Sequence, residues 1–531
     1  MNSKYKVLIT TSGLGQRLGE LTQYTNKSLI RVGKKPILSY IIEAYPKDTE
    51  FVITVGYFAD QIKDFIKIVY PYLKVIFVLV DKYQGPGTSL GYSMLQAKKY
   101  LQCPFIFHCN DTIVSEDIPP PYENWNGGIK GDSSASYSTF SLSKDKVGFI
   151  NDKGALDFDY IHIGLVGIKD YESFWYSLES LYLGSIYKDP SDISLNDCKV
   201  INLMIGQGKD FVVKEFTSWL DTGNADGLNK ARQKLADGFY NLDKPGESIF
   251  IFPKLVIKFY FDKELVEKKI KRAKVLKGLV PDIEKSIGNF FMYKYVEGAL
   301  YSETVTVSDF EKFLNWCKEN LWIKKNILPD KKFRDLCGNF YIDKTKQRVQ
   351  KFLEITKAED KEEIINGDKV PSVVMMLKEI DFEWLSAGIQ SLMHGDLILE
   401  NIIKTKNSYQ LLDWRQDFGG NLEVGDMYYD LANLNKNFTL KHELVDKGHF
   451  FVEKKSKDTK CDILESHNLI ECQQVLWRFI QKEGLDLKKV KVITALKWLS
   501  MSPLHPTPLN FNLFLYYFGR LNLYRALQES R

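Results

Sequence analysis

Two domains are expected from this sequence: a doubly covered α/β sheet, then an α+β domain with a long helical part. Three observations lead there. At 531 residues the chain exceeds what one ordinary hydrophobic core serves. Up to about residue 235, apolar β-branched runs alternate with helical stretches, the pattern of a mostly parallel sheet with helices on both faces. After the turn-rich stretch 236–246, a strand hairpin leads into largely helical sequence. The expected boundaries are 1–235, a linker at 236–246, and 247–531.

Composition narrows the class. Hydrophobic content of 44% and charge of 26% suit a globular chain. A net charge of +4, with lysines scattered rather than blocked, gives no nucleic-acid footprint. Seven cysteines, an odd number with no CxxC or Cys/His ligand spacing, suit free thiols in a reducing compartment. Cys103 and Cys109 flank an apolar run and are expected in the core. No apolar stretch approaches the ~18 residues of a membrane span, and the N-terminal run is too short for a signal. A cytoplasmic protein acting on a small molecule is expected, without membrane or nucleic-acid partners. Oligomeric state is not legible.

Lys6–Thr11 (KVLITT) is expected as a buried strand. Ser12-Gly13-Leu14-Gly15-Gln16-Arg17-Leu18-Gly19 follows, then Asn26-Lys27-Ser28-Leu29. Glycines let backbone N–H groups approach phosphate closely, and Arg17 and Lys27 can neutralise it. A dinucleotide loop is disfavoured, because the second strand, Phe51–Val55, ends in Gly56-Tyr57 rather than an acidic residue. The Walker ending GK[ST] is absent.

The alternation continues with a helix at Gln61–Val69 and a strand at Lys74–Val80. The second glycine-rich turn, Gly85–Gly91 with Gly87 and Thr88, opens a helix at Tyr92–Tyr100. The strand Pro104–His108 ends at Asn110-Asp111-Thr112, and open α/β sheets place their chemistry at such strand ends. Tyr160–Ile168 reads as a strand in the substrate wall. Ser218–Asn224 (SWLDTGN) leads into a closing helix, Ala225–Leu235. Asp221 reads as a site carboxylate or as that helix's N-cap. Gly87 and Gly223 read as turns or as close approaches.

Five pieces in order (GLGQRLG, NKSL, GPGTSLG, the strand ending NDT, and WLDTGN) resemble the sugar-phosphate nucleotidylyltransferases. The resemblance implies a Rossmann-like, GT-A-like mixed sheet. It implies attack by a substrate's phosphate on the α-phosphorus of an NTP, with pyrophosphate leaving. Gly13, Gly15 and Arg17 would hold the triphosphate, and Lys27 the phosphates that meet in the transition state. Gly87 and Thr88 would lie near the base, and Asp111 and Asp221 would bind Mg²⁺. In-line displacement at phosphorus calls for positioning and charge neutralisation, which these residue types supply. At Thr10-Thr11-Ser12 the chain departs from the family's small apolar loop start. The base therefore stays open: CTP is favoured, with UTP, dTTP or GTP as alternatives.

In the second half, Ser248–Phe252 and Leu255–Tyr260 read as a hairpin, with Lys258 inside the second strand and Lys254 at its start. Leu265–Leu276 reads as a charged helix, with Glu264 or Glu267 able to pair with Lys258. Val307–Trp322 reads as a helix whose Phe310, Phe313, Leu314 and Cys317 form a core face. Residues 330–367 are charged and show no chemistry. Then comes His394-Gly395-Asp396, with Asn401, and a short apolar run ending in Asp413. Phosphoryl transfer from ATP needs a carboxylate to take the hydroxyl proton, and an amide and a second carboxylate to hold metal. Asp396 is the candidate base. Asn401 and Asp413 are the candidate metal ligands. Arg415 and Asp417 are candidate substrate or metal contacts. Asp426 and Asp430, in GDMYYDLANL, are expected to brace the loop from a helix. His505 reads as a loop histidine, and Glu465–Leu527 as helical.

The stretch His394–Leu434 resembles the aminoglycoside phosphotransferase and choline kinase family, and the resemblance extends weakly over the rest of the second half. It implies a bilobal, protein-kinase-like domain, with an N-lobe near 247–298 and a helical C-lobe over 299–531. Lys258 would meet the ATP phosphates, and Tyr293, Lys294 and Tyr295 would border the adenine. No glycine-rich loop precedes Lys258; only Gly246 is available. Together the halves imply a kinase whose product carries the phosphate that the transferase needs. The compound would be a sugar, polyol or amino alcohol, activated for a surface polysaccharide or lipopolysaccharide, with Mg²⁺, ATP and a second NTP.

Overall fold

The computed structural model describes residues 5–131, 135–189, 194–236, 245–455, 458–505 and 510–529. By internal contacts the chain divides into two compact units. One is Met1–Val266 with Glu284–Tyr295; the other is Glu267–Ile283 with Val296–Arg531.

The first unit is built on nine strands: β1 (Lys6–Thr10), β2 (Glu50–Val55), β3 (Lys74–Leu79), β4 (Phe105–Cys109), β5 (Trp125–Ile129), β6 (Thr139–Ser143), β7 (Lys146–Asn151), β8 (Tyr160–Ile168) and β9 (Val212–Glu215). Their spatial order is β3-β2-β1-β4-β8-β5-β9-β7-β6. The first four strands are parallel. Val7 and Ile9 enter one core cluster and Leu8 the other, because alternate side chains of a strand face opposite sides. Beyond β4 the sheet departs from the mostly parallel expectation. β8 runs antiparallel to β4 and β5, and β7 antiparallel to β9 and β6. A parallel pairing needs a long crossover: β6 and β7 are joined by a tight turn and pair antiparallel, whereas β5 and β9, separated by helices, pair in parallel.

Helices α1 (Ala59–Val69), α2 (Leu90–Ala97), α3 (Asp197–Gly206) and α4 (Ala225–Lys234) belong to this unit. A short antiparallel pair joins Thr112–Val114 to Trp219–Asp221, with Asp221 opposite Thr112. This pairing carries Asp221 to the end of β4.

The hairpin Glu247–Ile251 and Leu255–Tyr260 forms a small sheet with Phe290–Lys294 and Ile283–Ile287. Chain order assigns it to the second domain, yet it packs within the first unit. Phe250, Ile257, Phe259 and Phe290 join the same core cluster as Phe65 of α1. The Phe65 ring lies 5.6 Å from Phe250 and 5.9 Å from Phe290. Residues 237–244 of the expected linker lie outside the described residues.

The second unit contains most of α5 (Lys263–Val275), together with α6 (Lys344–Thr356), α7 (Met427–Thr439), α8 (Leu487–Met501) and α9 (Phe511–Gln528). Every residue of α7 is buried, so this helix is the spine of the unit. Phe310, Phe313, Leu314 and Cys317 are fully buried as one face, but their helix ends at Trp316 and continues as a wider turn, Cys317–Leu321. Two features were not legible. The stretch 330–367 contains the helices Asp330–Gly338 and α6. A four-stranded sheet sets Asp368–Val370, Glu363–Ile365, Asp458–Ile463 and Phe450–Lys454 side by side. Among the described residues no helix is long and apolar enough to cross a membrane.

Candidate active sites

In the first unit the loop after β1 is shaped by Gly15. It has a φ of +68°, and a Cβ there would stand 2.9 Å from Thr22 Cγ2 and 3.0 Å from Lys27 Cβ. Asn26 then caps the turn that carries Lys27, accepting from Ser28 N and donating to the carbonyls of Thr11 and Tyr57 at 2.9 and 2.7 Å. Lys27 Nζ thereby reaches Asp111 Oδ2 at 2.5 Å, and Arg17 approaches the same oxygen at 3.7 Å. Asp221 accepts from Gly223 N at 2.8 Å, Asn224 Nδ2 at 2.6 Å and Tyr137 Oη at 3.1 Å. The N-cap of α4 is Asn224, which accepts from Gly227 N; Asp221 is not the cap.

Gly223 marks where these groups converge. A Cβ added to it would lie 2.7 Å from Asp111 Oδ2, 3.0 Å from Asp221 Oδ1 and 3.3 Å from Arg17 Nη2. Burial pushes the Asp111 carboxyl up, but Lys27 beside it, Cys109 and Arg17 outweigh burial and hold it at about 2. Burial and then the charge of Asp111 raise Asp221. Two carboxylates on one point, one of them short of positive charge, fit a divalent cation. Asp111 and Asp221 would hold Mg²⁺, which would neutralise polyphosphate charge. Gly13 has open space around its Cα. Gly87, with φ +82°, and Thr88, donating to Gly85 O at 2.9 Å, shape the turn before α2.

In the second unit Asn401 Nδ2 donates to Asp396 O at 2.9 Å and to Asp396 Oδ2 at 3.3 Å. Leu412 N donates to Asn401 O at 2.7 Å, which brings Asp413 to the same end of the loop. Asp413 takes a left-handed φ of +54°. Asp430 holds the loop, accepting from His394 N at 2.8 Å and Gly395 N at 2.7 Å. Asp426 accepts from Ile389 N at 2.8 Å and Tyr341 Oη at 2.7 Å. Asn433 and Asn437 of α7 add bonds to Gly395 O and from Leu399 N. Burial keeps His394 neutral, lowering it to about 4 against the pull of Asp396 and Asp413. An amide and a carboxylate beside Asp396 fit Mg²⁺, which Asn401 and Asp413 would hold.

Of the other expected residues, Lys258 sits mid-strand, paired with Ile249 and Phe291, whereas Lys254 is exposed at the hairpin turn. Tyr293 is buried at 2% exposure and Tyr295 is 45% exposed. Arg415 N donates to His394 O, and Arg415 Nε to Asp417 O. His505 packs on Phe511, 5.9 Å between rings.

Sequence reading missed Lys269 and Arg272. Both lie on the helix that reads as charged, and they are 7% and 1% exposed. Lys269 stands 3.6 Å from Asp413 and donates to Trp414 O. Arg272 donates to the carbonyls of Leu422, Glu423 and Met393. Their i, i+3 spacing was the available signal. Cys103 and Cys109 are both half-buried; Cys109 packs against a core cluster as expected. His162 of β8 and Asp197 and Cys198 at the start of α3 form a further buried cluster, with His162 Nε2 and Asp197 Oδ2 2.9 Å apart.

No protein-family model matches the chain. Among solved structures, the CTP:phosphocholine cytidylyltransferase of Streptococcus pneumoniae aligns over 44% of this chain and 99% of that one, at 21% identity and a TM-score of 0.36. The choline-phosphate cytidylyltransferase of Streptococcus pneumoniae is 38% identical over 110 residues, 20% of this chain and 45% of that protein. A "Bifunctional protein GlmU" of Methanococcus vannielii is 30% identical over 141 residues, 26% of this chain and 32% of that protein. The matches span between 21% and 57% of the length of such curated relatives. The N-terminal part is an α/β unit built on a mixed nine-stranded sheet. That part, about 44% of the chain, matches the sugar-phosphate nucleotidylyltransferases.

Proposed function

We propose that this chain is a bifunctional enzyme. Its first unit transfers a nucleotidyl group from an NTP, CTP being favoured, to the phosphate of a small molecule. Pyrophosphate leaves. Its second unit makes that phosphate, phosphorylating a sugar, polyol or amino alcohol with ATP. The product is an activated precursor for a surface polysaccharide or lipopolysaccharide. The observation that carries the first activity is the convergence of Asp111, Asp221 and Arg17 on Gly223, with Lys27 on Asp111. Two phosphate-bearing substrates brought together need this charge neutralisation. Asp111, Asp221, Lys27, Arg17, Gly13 and Gly15 are the residues assigned to it. The printed name of the pneumococcal relative supports CTP and an alcohol phosphate.

The second activity rests on Asp396, Asn401 and Asp413 sharing one loop end, with Asp396 as base and the other two on the metal. Lys258, Tyr293 and Tyr295 have an ATP role only by the sequence resemblance; by internal contacts all three belong to the first unit, and the second-unit site rests on Asp396, Asn401 and Asp413 alone. A second reading keeps only the first unit catalytic, with the other regulatory. A retained base and both metal-ligating side chains favour the bifunctional reading. The test is a screen of CTP, UTP, dTTP and GTP against sugar, polyol and amino-alcohol phosphates, with pyrophosphate as readout. One NTP and one phosphate class giving release supports transfer; no release with any pair contradicts it.

A further inference from the structure

Behind Asp396 lies a group of cations that neither proposed reaction has yet used. Arg415 packs against Gly395: a Cβ there would stand 2.5 Å from Arg415 Cβ. The Arg415 guanidinium lies over two rings, 5.2 Å from Phe340 and 6.0 Å from Tyr429. Those rings are 5.1 Å apart, edge to face. Lys344 of α6 covers Phe340 at 4.4 Å, and Lys497 of α8 covers Tyr429 at 3.5 Å. Lys436 of α7 is 6% exposed, and among the described residues its ammonium meets the sulfur of Met501, at 3.8 Å. Among the described residues no carboxylate lies within 4.0 Å of Lys344, Arg415, Lys436 or Lys497. Lys344, Arg415 and Lys497 are half-buried, and lysine and arginine are rarely withdrawn from water unless paired. Burial and mutual repulsion act on them: Lys344 is brought down to about 8, and Lys497 lies well below its ordinary value, the pull of Asp396 and Asp430 notwithstanding. Such a surplus is stable in use only when an anion completes it.

We propose that Lys344, Arg415 and Lys497 form an anion subsite beside Asp396, so that the hydroxyl compound phosphorylated there carries a carboxylate or phosphate of its own. This rests on the kinase reading of the second unit, and it selects against a cationic amino alcohol. With the anion held by these side chains, the hydroxyl oxygen attacks the γ-phosphorus of ATP. The bond between that phosphorus and the β,γ-bridging oxygen breaks, ADP leaves, and the hydroxyl proton passes to Asp396.

The test is calorimetric binding of inorganic phosphate, D-gluconate, glycerol and choline to the full chain at fixed ionic strength. Wild type is compared with Lys344→Met/Lys497→Met and with Lys344→Arg/Lys497→Arg. The difference between variants isolates this cluster from Arg17 and Lys27. At least one anion should bind tenfold or more tighter than glycerol and choline; which of the two does so separates a phosphate from a carboxylate. The Met pair should lose at least tenfold of that affinity, the Arg pair should keep it, and the Met pair should melt no lower than wild type, because unpaired charge has been removed. Choline or glycerol binding as tightly as the anions, or Met-pair affinity equal to wild type, overturns the subsite. ATP binding that ignores Asp413→Asn would sink the kinase reading and leave the subsite standing.

Discussion

Lys27 and Asp111 are a buried ion pair, with side chains 11% and 13% exposed. Removing one partner of such a pair leaves a charge with no compensation and costs about 3–5 kcal/mol. Lys27→Met is therefore expected to lower the unfolding free energy by about that much. It should also cut nucleotidyl transfer by about 10²–10³-fold, the loss seen when a positioned charge is taken from a transition state. Urea unfolding and pyrophosphate release measure the two effects. A variant as stable and as active as wild type would mean that Lys27 only fills space. At this scale the sequence was informative where a residue type is chemically scarce in its context. Asp111 at a strand end, Asp221 before a capped helix and Asp396 before Asn401 could each be singled out. Lys269, Arg272 and Lys497 could not, because cations on a helix look the same whether the face is solvated or buried.

At the scale of elements, α7 fixes the candidate phosphotransfer loop through Asp430. Burial raises that carboxyl to about 6, against backbone bonds from His394 and Gly395 that favour its charge. The unfolded chain releases this proton near 3.9. Between these values the native state holds a proton that the unfolded state does not. The contribution therefore favours the fold below about pH 4 and is lost as pH rises through about 6, a total of roughly 3 kcal/mol. Urea unfolding at several pH values between 4 and 6.5 should show wild-type stability falling by that much relative to Asp430→Asn. Parallel pH profiles for the two proteins would contradict the assignment. Among elements, the parallel strands and the helices expected at Gln61–Val69, Ala225–Leu235 and Leu265–Leu276 were read with ends nearly right, since apolar periodicity records burial directly. The turn joining β6 to β7 was not: Lys144 and Asp145 both take positive φ, 51° and 63°, a conformation usually signalled by Asn-Gly.

For the whole molecule, chain order and compactness disagree. The strand hairpin that follows the linker packs on Phe65 of the first unit, because its apolar face matches that helix. Sequence patterning shows that a face is apolar and not which neighbour covers it, so this division could not be read in advance. What could be read was the presence of two sets of acidic side chains far apart in the chain, to which we assign two reactions. The most direct test pairs two variants with two assays. Pyrophosphate release is measured from CTP with a phosphorylated acceptor, and ADP formation from ATP with the unphosphorylated one. Asp111→Asn should lose the first and keep the second, and Asp396→Asn the reverse. Either variant losing both activities in equal measure would contradict two independent centres.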